Sequence, residues 1–152
     1  IHVMATMRLM RALVPSMAER GWGRVVNVSS SSGKRPSTSN VAYAVAKSAQ
    51  LALSRAYADA YASKGVAINA VAPGPVASEM WLEDGGLADQ ISARTGESRE
   101  AVLSSAAAKI PRGEFGTADE IADAIVFLCS ERAANVAGAA WSVDGGSVQT
   151  IV

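Results

Sequence analysis

The fold is decided by one stretch, Arg24-Val25-Val26-Asn27-Val28-Ser29, which is followed by a cluster of serines. A short β-branched run of this kind is typical of a buried parallel strand. The next segment, residues 30–40, is rich in Ser, Gly, Pro and Asn and is predicted to be a loop. From Asn40, a good N-cap, an alanine-rich stretch continues without Pro or Gly to Lys64. This pattern predicts a long helix that closes at Gly65.

The alternation of helices and strands continues on both sides of this unit. Residues 2–20 carry a helical stripe of apolar side chains, whereas residues 66–71 and 139–143 are short runs typical of strands. Residues 73–97 are predicted to be an irregular, loop-rich insertion. Two helices follow it, and the second begins at a capping box over residues 117–120. The predicted order is therefore α, β, α, β, α, α, β.

Strands that alternate with helices indicate an α/β fold with a parallel sheet covered on both faces. Three strands are few for an open doubly wound sheet, which normally has two halves that meet at a switch point. We therefore expect the carboxyl-terminal half of a doubly wound, Rossmann-like sheet, with about three strands and flanking helices. The chain begins at Ile1 without an initiator methionine or a signal pattern, as if within a helix, so we expect a truncation.

The composition favours one globular domain whose partner is a small molecule. The 152 residues are 49% hydrophobic and 18% charged, as in folded proteins. Fourteen Lys and Arg balance fourteen Asp and Glu, which leaves no net field for nucleic acid or an anionic membrane, and no apolar stretch predicts a transmembrane helix. A single cysteine, Cys129, excludes a disulfide framework and fits a cytoplasmic protein. Cys129 itself is expected to be a small core residue.

Three side chains suited to acid–base chemistry are predicted to meet at one edge of the sheet. Tyr43 and Lys47 are four positions apart on the long helix and therefore project from the same face, about 6 Å apart along its axis. The first strand ends in Ser29 and Ser30 at the edge where open α/β sheets bind ligands. A phenol, with a reference pKa of about 10, is a poor base at neutral pH, but a neighbouring cation favours the phenolate. Taken alone, however, such a Tyr–Lys pair is more simply a surface aromatic beside a solvated lysine.

Five motifs, in order and spacing, resemble the short-chain dehydrogenase/reductase family over nearly the whole chain. They are Val26-Asn27-Val28-Ser29-Ser30, Tyr43-Ala44-Val45-Ala46-Lys47, Asn69-Ala70-Val71-Ala72-Pro73-Gly74, Ile110-Pro111-Arg112-Gly113-Glu114-Phe115-Gly116-Thr117 and Val143-Asp144-Gly145-Gly146. Their wording is most similar to 3-oxoacyl-acyl-carrier-protein reductases. The resemblance implies an NAD- or NADP-dependent enzyme that interconverts a carbonyl and a secondary alcohol, with 3-oxoacyl thioester reduction as one candidate reaction.

The resemblance also implies a role for individual residues. Tyr43 would be the catalytic acid and base and would also contact the cofactor, while Lys47 would assist it and bind the nicotinamide ribose. Ser30 would donate a hydrogen bond to the substrate oxygen, since the family separates this serine from the tyrosine by thirteen positions and 43 − 30 = 13. Further positions implied to bind the cofactor are Pro73, Gly74, Val76 through its backbone, and Ser78. No metal site is predicted.

Two departures from the family accompany these matches. The chain has no G-x-x-x-G-x-G phosphate turn, and the residue that would choose between NAD and NADP is missing with it. Residues 1–152 are therefore expected to be the catalytic half of the domain, with the amino-terminal cofactor-binding half absent. The family's fourth catalytic residue, an asparagine, falls on His2, which means either that the position has diverged or that the frame near the terminus is unreliable.

Several alternatives stay open at this stage. Trp81 would either line the substrate pocket or cover it as a lid. Lys34 and Arg35 are expected to be solvated, although they lie close enough to Ser30 to attract an anionic substrate. The resemblance implies a homodimer or homotetramer that pairs the helices of residues 2–20 and 41–64. A rival hypothesis is that the chain is a truncated or degenerate fragment that acts only as a binding or interaction module.

Overall fold

Three parallel strands form the central sheet of the computed structural model, which describes residues 1–149. They are β1 (Gly23–Val28), β2 (Val66–Pro73) and β3 (Ala140–Val143), and they pair in the order β1-β2-β3. Gly23 lies opposite Val66 at the start of the first pair, and Ala70 lies opposite Ala140 at the start of the second. The predicted α/β class and the three-stranded parallel sheet are confirmed.

Helices connect and flank the strands. In the part of the chain that the structure describes they are α1 (His2–Glu19), α2 (Ser31–Lys34), α3 (Val41–Tyr61), α4 (Glu79–Leu82), α5 (Leu87–Thr95), α6 (Arg99–Ala108) and α7 (Ala118–Cys129). Short 3-10 turns cover Ala62–Lys64 and Glu131–Ala133. The predicted long helices are confirmed, whereas the predicted loop 30–40 contains the single turn α2. The segment 73–97, predicted to be loop-rich, contains α4 and the nine-residue helix α5. Its helices were missed because they lack a long apolar stripe and depend on tertiary contacts.

The sheet is covered on both faces, which is why β2 is buried along almost its whole length. Successive side chains of a strand point to opposite faces, so Ile68 and Val71 belong to different layers. The layer beside α1 and α3 contains Met10, Val14, Ala58, Val66 and Ile68. The layer beside α7 contains Val71, Ile121, Leu128 and Ala133.

Side-chain caps fix where the helices begin. The Asn40 Oδ1 accepts a hydrogen bond from the Tyr43 backbone N–H at 3.3 Å, which sets the first turn of α3. At the start of α7, Thr117 and Glu120 exchange hydrogen bonds as a capping box, as predicted. The end of the α3 segment also agrees with the prediction, because Gly65 closes it with φ 79° in the left-handed region that favours glycine.

A buried asparagine joins the last strand to the centre of the sheet. The Asn69 side chain is inaccessible to solvent, donates to the Val136 carbonyl at 2.8 Å and accepts from the Ala139 N–H at 3.0 Å. In the segment that leads into β3, strand pairing does not provide hydrogen-bond partners for these two backbone groups. The amide of Asn69 provides them instead. This contact explains why a polar residue stands in the middle of the most buried strand.

Two expectations about single side chains are wrong. Cys129 is exposed, because the apolar stripe of α7 runs through Ile121, Ile125 and Leu128 and the next position turns away from the sheet. Lys34 is not simply solvated, since its amine donates to the Ala140 carbonyl and to the Ser142 hydroxyl of β3. Among residues 1–149, no helix combines the length and the apolarity that crossing a membrane requires.

Candidate active site

A cavity of about 500 Å³ opens beside the carboxyl ends of β1 and β2, next to the start of α3. Its lining includes Ser30, Tyr43, Gly74, Val76, Ser78 and Trp81. Five of the seven residues predicted from the sequence thus surround one space. The other two, Lys47 and Pro73, do not line it. The Lys47 amine lies next to the Tyr43 ring, and Pro73 is the last residue of β2.

The two serines at the end of β1 use their hydroxyls differently. Ser30 caps α2, since its Oγ accepts a hydrogen bond from the Ser32 N–H at 3.1 Å. A hydroxyl that accepts one bond still has its own proton to donate, and Ser30 faces the cavity. The Ser29 Oγ instead donates to the Lys47 backbone carbonyl at 2.8 Å, which attaches α3 to β1. Ser30 is therefore the serine of this pair whose donor remains free for a ligand.

The amine of Lys47 is held close to the ring of Tyr43. Its Nζ lies 5.7 Å from the ring centroid and donates to the Val28 carbonyl at 3.1 Å. Only 8% of Lys47 is exposed, and this burial lowers the pKa of its ammonium group. An ammonium has three donors, so the single bond to Val28 leaves two for a phenol or for a bound ligand.

Tyr43 is half-buried between the cavity and the first turn of α1. The ring of His2 meets the ring of Tyr43 edge-on, with centroids 6.0 Å apart and planes at 88°. The His2 carbonyl accepts hydrogen bonds from the Gln50 amide at 3.2 Å and the Thr6 hydroxyl at 2.8 Å, which joins this turn to α3. The structure therefore places His2 against the tyrosine, at the position where the resemblance expects an asparagine.

The segment after β2 presents backbone and hydroxyl groups to the same cavity. Val76 forms an isolated parallel bridge with Gly116, in which Gly116 bonds to Pro75 and Ala77 on either side. In a parallel bridge of this kind the N–H and C=O of the central residue point the other way, so those of Val76 are directed away from Gly116. The Ser78 side chain makes no capping bond to α4 and lines the cavity.

Gly74 allows two segments of chain to pass each other closely. A Cβ added at this residue would lie 2.8 Å from the Cα of Asp144, which is closer than real Cβ contacts. The Asp144 carboxylate is used locally, because it accepts from the N–H groups of Gly146 at 3.0 Å and Val148 at 2.9 Å. The Pro-Gly and Asp-Gly-Gly motifs are therefore neighbours in space, and together they hold the wall of the cavity that contains Val76.

Trp81 has two interpretations from the sequence, a wall of the pocket or a lid, and its partner could not be predicted. The structure places the Trp81 ring in the lining of the cavity and edge-on against Phe115, with centroids 5.1 Å apart. Met80 and Leu87 line the same wall and were not singled out, because a loop-rich segment has no periodicity that would mark which side chains turn inward. No cluster of three or more potential metal ligands occurs within residues 1–149.

Comparison with known proteins gives consistent matches to oxidoreductases. A family model described as enoyl-(acyl carrier protein) reductase matches residues 1–148. The chain is 38% identical over 146 residues to 2-(S)-hydroxypropyl-CoM dehydrogenase 3 of Xanthobacter autotrophicus, a match that covers 96% of this chain and 54% of that protein. It is 35% identical over 139 residues to a 3-oxoacyl-acyl-carrier-protein reductase of Pseudomonas aeruginosa, covering 91% and 51%.

The solved structures agree with these matches. L-sorbose reductase from Gluconobacter frateurii, complexed with NADPH and L-sorbose, superposes with a TM-score of 0.88 at 33% identity. That superposition covers 99% of this chain and 57% of the reductase. The chain thus spans about half the length of the curated relatives it matches.

Proposed function

The chain belongs to the short-chain dehydrogenase/reductase family, and from this premise we propose that residues 1–152 supply the catalytic half of an NAD(P)-dependent oxidoreductase. The reaction would interconvert a carbonyl and a secondary alcohol. One observation carries the proposal: Ser30 and Tyr43 line one cavity, and the buried amine of Lys47 lies 5.7 Å from the tyrosine ring. These are the side chains that the reaction needs, at the sheet edge where α/β folds bind ligands.

Each of the three side chains has a separate task in carbonyl reduction. A nicotinamide, when bound, supplies the hydride that adds to the carbonyl carbon. As the C=O π bond breaks, its electron pair takes the proton of the Tyr43 hydroxyl, which leaves a phenolate and an alcohol. The Ser30 hydroxyl donates to the same oxygen and stabilises its developing negative charge. The Lys47 ammonium compensates the phenolate, and alcohol oxidation uses the same groups in reverse.

The residues present fit the nicotinamide end of a dinucleotide. Lys47 is buried with one hydrogen bond and two unused donors, which suits the hydroxyls of a ribose. The backbone of Val76 points away from its bridge to Gly116 and suits a carboxamide, and the free hydroxyl of Ser78 lines the same cavity. Gly74 and Pro73 would shape this wall rather than bind through side chains. Both NAD and NADP satisfy this half of the site.

A 3-oxoacyl thioester is a reasonable substrate to test first, because the reductase from Pseudomonas aeruginosa is among the similar proteins.

We further propose that the protein forms a homodimer or homotetramer through α1 and α3. Both helices expose large apolar side chains: Leu9 is 61% exposed, Leu13 51%, Val41 60% and Val45 62%. Sedimentation velocity of the complete product of the reading frame is expected to give a mass of two or four chains.

The direct test replaces Tyr43 with phenylalanine in the complete product of the reading frame. Tyr43→Phe removes the proton donor but keeps the ring, so we expect kcat to fall by about 10²-fold or more. The matched control is Tyr57→Phe on the same helix, whose ring stacks on Tyr61 away from the cavity. Wild-type turnover by Tyr43→Phe would reject the role given to this residue.

The rival hypothesis of a non-catalytic binding module makes a different prediction. A fluorescence titration of the wild-type protein with NADH and NADPH, followed by a panel of ketones, separates the two. Our proposal expects micromolar binding of one nucleotide and turnover of at least one ketone. Failure of both nucleotides to bind would favour the binding module.

A further inference from the structure

A second cavity, of about 590 Å³, adjoins the cavity of the candidate active site. Ser31, Pro75 and Trp81 line both cavities, so a molecule that fills one meets the other at these three residues. The far walls of the second cavity come from α5 and α6. A substrate whose carbonyl lies beside Ser30 and Tyr43 can therefore extend past Trp81 into the second cavity.

The charged residues of the second cavity are mostly cationic. Arg35, Arg94 and Lys109 line it together with one carboxylate, Glu97. Because the whole chain has fourteen cations and fourteen anions, this excess is local. Within residues 1–149, none of the three cations forms an ion pair. The Arg35 guanidinium donates a hydrogen bond to the Ser147 carbonyl at 3.4 Å.

Neighbouring arginines outside the cavity form ion pairs with carboxylates, unlike the three cations that line it. Arg99, on α6, lies 3.2 Å from the Asp89 carboxylate, and Arg112 lies 2.8 Å from Glu114. This segment of chain thus supplies carboxylates to the arginines that face elsewhere. The cations around the cavity keep their donors available for an anion from outside the protein.

The remaining lining of the second cavity is largely apolar. Ile91 and Val102 contribute from α5 and α6, and the buried Ile110 follows α6. An apolar wall with guanidinium and ammonium groups fits a carbon chain that ends in an oxyanion, because these donors form charge-assisted hydrogen bonds. A neutral alcohol or an uncharged sugar would leave three cations facing the single carboxylate of Glu97.

We propose that the second cavity binds an anionic group of the substrate, while the carbonyl lies between Ser30 and Tyr43. The anionic group is an oxyanion of the carboxylate, sulfonate or phosphate type. This inference rests on the proposed function and narrows it, since the substrate becomes an oxo or hydroxy compound that carries such a group. Trp81, at the junction of the two cavities, would contact the carbon chain between the two polar ends.

The test compares an anionic ketone with its neutral ester, using levulinate and methyl levulinate in the complete product of the reading frame. Wild-type protein is expected to have the higher kcat/KM for levulinate. Arg94→Gln and Lys109→Gln each remove one charged donor, so each should raise KM for levulinate about tenfold and leave KM for the methyl ester unchanged. Arg132→Gln, which removes an exposed cation from outside both cavities, is the matched control and should change neither value.

The outcomes separate the subsite from the reaction itself. Equal use of levulinate and its ester by wild-type protein, with no selective effect of the two variants, would overturn the subsite and leave the oxidoreductase intact. Failure to bind a nucleotide or to reduce any ketone would instead count against the proposed function. If 2-oxopropylsulfonate or hydroxyacetone phosphate is the better substrate and the same variants raise its KM, the subsite is supported and its anion is identified.

Discussion

Ser29 and Ser30 are adjacent in the chain, yet only Ser30 presents a free donor to the cavity. We predict that Ser29→Ala and Ser30→Ala each cost about 1 kcal/mol of unfolding free energy, the first through a lost hydrogen bond and the second through a lost cap. Only Ser30→Ala should also lower kcat, by about 10²-fold or more, because it removes the donor to the substrate oxygen. Thermal melts and steady-state kinetics of both variants measure this; similar kcat values would refute the assignment.

The burial of Lys47 predicts how stability depends on pH. Burial lowers the pKa of Lys47 below its ordinary value near 10.5. Below the folded-state pKa the lysine is charged in both the folded and the unfolded protein, so the folded protein carries the full desolvation cost. This cost falls as the pH rises above the folded-state pKa, and it is gone above the unfolded-state pKa. At pH 7 the unfolding free energy of Lys47→Met should therefore equal or exceed that of the wild type. Any excess should shrink as the pH rises toward 11.

The same Lys47→Met variant should lose activity, since the ammonium that compensates the phenolate is gone. Urea unfolding at several pH values, paired with turnover assays, checks both parts. Lys64→Met, at an exposed lysine just beyond α3, is the control and should retain activity. A variant that is clearly less stable at pH 7 than the wild type would contradict the desolvation cost.

Single residues could be predicted from the sequence where a motif fixes both spacing and element. The i, i+4 spacing brings Tyr43 and Lys47 to one helical face, and the structure has the lysine amine beside the ring. Whether Trp81 lines the pocket, and that Cys129 is exposed, could not be predicted, because both depend on how a helix or loop is rotated against its neighbours. Spacing in sequence does not record that rotation.

Among the three strands of the sheet, β3 is the shortest, with four residues, and so makes the fewest ladder hydrogen bonds. Asn69 clamps the segment that leads to it through two hydrogen bonds, to Val136 and Ala139. Asn69→Ala would leave both part-buried backbone groups without this partner, at about 1–3 kcal/mol each. We predict a loss of about 2–6 kcal/mol in unfolding free energy.

Chemical denaturation of the Asn69→Ala variant measures this loss. Asn135→Ala, an exposed asparagine in the same connection, is the matched control and should be nearly neutral. The prediction fails if both substitutions have the same small effect, because the clamp would then contribute nothing beyond a surface amide.

Elements with strong local signals were predictable, whereas elements set by tertiary contacts were not. Asn40, Thr117 and Gly65 mark helix ends by capping chemistry that is local, and the structure has those ends. The single turn α2 was missed because Ser and Gly have little helix propensity. Packing against α3 holds this turn in place, with Gly33 so close that a Cβ would meet the Lys47 backbone at 2.9 Å.

At the scale of the whole molecule, topology brings the candidate site together. The carboxyl ends of the parallel strands β1 and β2 lie at the same edge of the sheet. Ser30 after β1 and the loop after β2 therefore face the start of α3. This much of the site follows from the sequence. The second cavity does not, because its cations belong to no common motif: Arg35 follows α2, whereas Arg94 on α5 and Lys109 after α6 come from a segment about 60 residues further along the chain.

The roles of Ser30, Tyr43 and Lys47 can be tested with a crystal structure of the complete product of the reading frame with NADP⁺ and a bound alcohol or ketone. Our account predicts that the substrate oxygen lies within about 3.2 Å of both the Ser30 Oγ and the Tyr43 Oη, as proton transfer requires, with the Lys47 amine on a ribose hydroxyl. A substrate oxygen held by other side chains, with Tyr43 turned away from it, would contradict the account.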